Sequence, residues 1–88
     1  MDDSLWYAIR LAEIGKPLMA MLVIKEYVSD RVGNLKTKEI SKECKDLLQA
    51  ILSSPSLNDE SWRVFVPALP PEEIRSIAIR VSECVGSI

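Results

Sequence analysis

The chain is 88 residues long, the size of a single domain, and reads as one helical unit over 1–88. It is 48% apolar and 27% charged, a globular rather than a disordered composition. Eleven basic and 13 acidic residues leave a formal net charge of −2, which lacks the basic excess of a dedicated nucleic-acid binder.

Glycine and proline divide the chain into helical segments. Asp2, Asp3 and Ser4 suit a helix start, where carboxylates meet the positive end of the helix dipole. Leu5, Ala8, Ile9 and Ala12 then share one face, and Trp6, Leu11 and Ile14 widen the apolar surface. This first helix is expected over about 3–14, with Gly15 as its C-terminal stop and Pro17 in the first turn of the next. The acidic N-terminal stretch lacks the basic region of a secretory leader, so the chain reads as cytoplasmic.

The second helix is expected over about 17–32. Its first half, "PLMAMLVI", is apolar all round, which predicts surroundings of protein, either at the centre of the bundle or in an oligomer interface. This run of eight residues is far short of the roughly 20 that a membrane-spanning helix needs. Gly33 and Asn34 end the segment, and Thr37 is the expected cap of a third helix. Ile40, Cys44, Leu47, Leu48 and Ile51 form its apolar stripe, and Pro55 disfavours helical geometry beyond Ser54.

A short fourth helix is expected over about 57–65, with Ser56 and Asp59 resembling a capping box. Alternation of Trp62, Val64 and Val66 also suits a strand, but no second segment offers it a partner. The last helix opens at Pro71, with Glu72 and Glu73 in its first turn and Leu69 placed to staple onto Ile74. Ile74, Ile77, Ala78, Val81, Cys84 and Val85 make one stripe that ends at Gly86. The expected fold class is therefore all-α: a compact bundle of four to five short helices, with the second helix central.

Chemistry-bearing patterns are scarce. The chain has no histidine, which removes the commonest general base, metal ligand and pH switch. It has no Gly-rich phosphate loop, no GxSxG and no HExxH, so no catalytic residue, cofactor or metal is expected. The acid pairs Asp2-Asp3, Asp59-Glu60 and Glu72-Glu73 all fall at helix starts, where the dipole accounts for them. Cys44 and Cys84 both lie on apolar stripes and read as buried free thiols; a disulfide requires those two stripes to meet.

The expected function is a non-enzymatic protein-interaction module, a small accessory subunit or adaptor docking on a larger protein. By analogy with other small helical subunits, its setting would be a replication or transcription complex. Trp62, Arg63, Phe65 and Ile79 form the expected partner-binding patch, since aromatics and arginine are enriched at interfaces. Ile79 lies opposite its own helix stripe, among Arg75, Arg80 and Glu83. Two alternatives fit parts of the pattern. One is a helix–turn–helix regulator whose third helix meets DNA through Lys38, Lys42, Lys45 and Gln49. An acidic stripe of Glu39, Glu43 and Asp46 flanks those lysines and would repel phosphate, whereas pairs such as Lys42–Asp46 suit a solvated surface. The other is a self-associating bundle, with the first or second helix at a two-fold interface.

Overall fold

The structure, a computed structural model, describes residues 1–32, 40–53 and 70–86. These form four helices: α1 (Asp3–Glu13), α2 (Pro17–Val32), α3 (Lys42–Leu52) and α4 (Pro71–Gly86). There is no strand among the described residues, and the architecture is the all-α bundle that the periodicities predict. The expected helix over 57–65 and the Leu69 staple lie outside the described residues.

Local chemistry sets most of the helix ends. Asp2 caps α1 by accepting a hydrogen bond from the Ser4 amide at 2.8 Å. Its second carboxylate oxygen takes Arg31 at 3.2 Å, tying the start of α1 to the end of α2. Arg31 also stands 5.3 Å from the centroid of the Tyr27 ring. The ion pair is partly exposed, and exposed pairs are worth less than about 1 kcal/mol, so it orients the two helices more than it holds them.

The α1–α2 turn is a Schellman closure. The Lys16 amide donates to the Leu11 carbonyl at 2.8 Å and the Gly15 amide to that of Ala12 at 3.2 Å. The motif needs a left-handed residue at Gly15, whose φ is +82°. Glycine adopts that conformation without the clash a side chain brings. At α3 the cap is Ser41, which accepts from the Cys44 amide at 3.2 Å. The described helix begins at Lys42 behind this cap, and Thr37, the expected cap, lies outside the described residues. Pro71 opens α4 as expected, with the Pro70 carbonyl accepting from Glu73 and Ile74.

The core forms where α1, α2 and α4 meet. Leu5, Ile24, Val28, Ile74 and Val81 are its largest fully buried side chains, each worth roughly 1.5–3 kcal/mol of burial. Ala8, Ala20 and Ala78 are also fully buried, which lets backbones approach closely. Helix α2 touches all three other helices, as a central helix should; α4 does the same. The apolar first half of α2 is less enclosed than its composition predicts. Ala20, Met21 and Ile24 are buried, Leu18, Leu22 and Val23 are half-buried, and Met19 is 47% exposed. One side of this segment is therefore in the core and the other at the bundle surface.

The cysteines require a correction. Cys44 and Cys84 are not free thiols but a disulfide joining α3 to α4, with their Cα atoms 5.5 Å apart. Each helix stripe was legible alone; the packing of α3 against α4 is what brings the two together. The bridge borders a surface recess of about 190 Å³ lined by Glu43, Leu47, Arg80 and Glu83, so a reductant can approach it.

The bridge spans 40 positions, and a closed loop of that size is worth about 4 kcal/mol in the chain-entropy model. An 88-residue domain has only about 4–13 kcal/mol in total, so reduction should lower the melting temperature by roughly 15 °C or more. Calorimetry with and without a phosphine reductant checks this, and an unmoved transition would refute it. Gly15→Ala should cost about 1–2 kcal/mol in denaturant titration, purely from backbone strain, because a Cβ there meets nothing within 4 Å.

Candidate interaction surface

The described surface has one concentrated aromatic face, on α1. Trp6 is 50% exposed, Tyr7 57% and Ile14 57%. Leu5, Ala8, Ile9 and Ala12 turn α1 toward α2 and α4. At 3.6 residues per turn, Trp6, Tyr7 and Ile14 then lie roughly 110–170° from that stripe and face away from it. Asp3 and Arg10 share the outward face and are exposed. Arg10 approaches only Glu13, one turn on, at a long 3.9 Å.

Trp, Tyr and Arg are the residue types that dominate interface energetics, and here a rigid helix presents all three within one turn and a half. Sequence reasoning took Trp6 and Ile14 only as widening the apolar surface of the helix and left Tyr7 and Arg10 without a role. The signal was present in the angular separation of Trp6, Tyr7 and Ile14 from the Leu5–Ala12 stripe. It was obscured because apolar residues occupy most of the helix circumference, so the stripe's edge is hard to draw.

The expected patch is represented by one of its members. Ile79 lies on α4 and is 38% exposed, between exposed Arg75, Arg80 and Glu83. Trp62, Arg63 and Phe65 lie outside the described residues. Of the alternative DNA-contacting set, Lys42 and Gln49 are exposed on α3 and Lys45 is half-buried, while Lys38 lies outside the described residues. The turn of that alternative, residues 33–37, lies outside the described residues. Among the described residues no ion pair joins Lys42 to Asp46, so that expected helix-surface pair does not form.

An open recess of about 600 Å³ sits at the α1–α2 turn against the start of α4. The described residues lining it are Ala12, Gly15, Lys16, Pro17, Leu18, Met19 and Pro71, a largely apolar set with Lys16 as its one charge. These described residues include no convergent polar groups of the kind that orient a small molecule. None of the described helices is long and apolar enough to cross a membrane.

No family model, curated protein or solved structure matches this chain.

If Trp6 and Tyr7 are surface groups, Trp6→Ala and Tyr7→Ala should each change stability by less than about 1 kcal/mol. Leu5→Ala, one residue away on the buried side, should cost about 2–5 kcal/mol. Urea titration of the three variants distinguishes the faces, and a comparable loss at Trp6 would reassign it to the core.

Proposed function

We propose that this chain is a non-enzymatic protein-interaction module, of the accessory-subunit or adaptor kind, and that α1 is its contact element. The observation that carries the reading is the outward face of α1, where Trp6, Tyr7 and Ile14 are each at least half exposed beside Arg10. A domain of this size has little apolar surface to spare, and its largest side chains normally contribute to its own core. Leaving two of five aromatics in water on a rigid helix costs stability, and binding recovers that loss.

Charge favours a protein partner over a nucleic acid. The outward face of α1 carries Asp3, Arg10 and Glu13, a mixed set that sets orientation without attracting a phosphate backbone. Ile79, with Arg75 and Arg80, supplies a second, smaller contact on α4 in this reading. The cytoplasmic setting expected from the sequence belongs to the same proposal. Thiol buffers there keep cysteines reduced, so the Cys44–Cys84 bridge would mark an oxidised form of the module.

A photo-reactive phenylalanine analogue placed at Tyr7 should give a protein adduct in the native cell. The same probe at Glu26, exposed on α2, should give none. Failure of the Tyr7 probe to capture any protein would remove α1 as the contact element.

A further inference from the structure

We infer that the partner of α1 is a second copy of this chain, paired antiparallel across a two-fold axis through the outward face of that helix. This rests on α1 being the contact element and names what it contacts. The outward face of α1 is complementary to itself in charge. Asp3 and Arg10 are two turns apart on the same face, about 10.5 Å along the axis. Trp6 and Tyr7 lie between them. The Asp3–Arg10 pair and the Trp6–Tyr7 pair are both centred on the point midway between Trp6 and Tyr7.

A two-fold axis through that point therefore does two things at once. It sets Asp3 against Arg10 of the partner subunit, twice by symmetry, and, because Trp6 and Tyr7 lie on opposite flanks of the face, it brings each of these rings beside its own symmetry copy. Met1, 42% exposed, and Ile14 flank the outer ends and come within about one residue of the same centre. The face thus reads apolar, acid, aromatic in one direction and apolar, base, aromatic in the other. That order is self-complementary only when the helices run antiparallel; a parallel pairing would oppose acid to acid and base to base. An isologous interface requires this kind of palindrome. The aromatic pair supplies the apolar centre and the ion pairs its polar rim.

Size limits the strength. An 11-residue helix is about 16 Å long, so one strip of it falls short of the roughly 800 Å² per partner of a standard interface. The dimer is accordingly weak and concentration-dependent, and salt loosens it by screening the exposed pairs.

Sedimentation equilibrium of the full oxidised chain, up to about 1 mM, should show reversible dimers. Asp3→Arg and Arg10→Asp should each weaken self-association about ten-fold or more, because each places like charges opposite one another. Mixed in equal amounts, the two variants should pair with each other, since every rim contact is then opposite in sign. Circular dichroism checks that each is folded. Tyr7→Glu, remote from the Asp2 cap, is the second disrupting variant and should also disperse the dimer. A wild-type chain that stays monomeric throughout overturns the inference, as do single variants that dimerise like wild type or a mixture that fails to restore pairing. If the Tyr7 probe captures a different protein while the chain stays monomeric, α1 stands as the contact element and self-pairing falls. If the probe captures nothing, the contact reading itself falls.

Discussion

The fold depends on one apolar seam, the line along which Leu5 of α1, Ile24 and Val28 of α2, and Ile74 and Val81 of α4 exclude water together. Five large side chains at zero exposure are a substantial core for 88 residues. They also dictate rotation. Once Leu5, Ala8 and Ala12 face the seam, every other position on α1 is committed, and Trp6, Tyr7 and Arg10 are carried to the outside. The candidate interaction surface is thus a consequence of core packing, presented on a helix that the seam holds rigid.

Helix α3 stands in a different relation to that seam. It is an 11-residue helix that contributes Leu48 and Ile51 and touches α2 and α4. Helices of that length are marginal on their own, and tertiary contacts must hold them. The Cys44–Cys84 bridge supplies a covalent contact at this thinly supported place. Stability in this protein is therefore divided between a burial term shared by three helices and a cross-link that secures the remaining one.

The ends of the helices show how far local chemistry reaches. Asp2 at α1, Gly15 at its close and Pro71 at α4 are residues whose own geometry favours those places, and each acts there as the periodicity and turn signals predict. Ser41 shows the limit. The sequence offers hydroxyls at both Thr37 and Ser41, and it is the observed start of α3 at Lys42 that puts the Ser41 hydroxyl on the Cys44 amide. The apolar half of α2 shows a related limit. Composition marks it as a buried element, but the number and placement of neighbours leave Met19 in solvent.

By itself the sequence determined the helical class, the element order and the identity of the inward stripes on α1, α3 and α4. Those follow from the 3.6-residue period and from capping chemistry, which are local. It also determined the absence of histidine-based chemistry, because that is a matter of composition. Only the tertiary structure decided that Cys44 and Cys84 meet and that Trp6 and Tyr7 of α1 face water. The disulfide and the exposure of Trp6 and Tyr7 depend on which faces of distant helices come together, whereas the Ser41 cap is a local bond to the amide three residues on. A periodic pattern names the face that turns inward, but the distance and angle at which two such faces meet are set by the side chains packed between them.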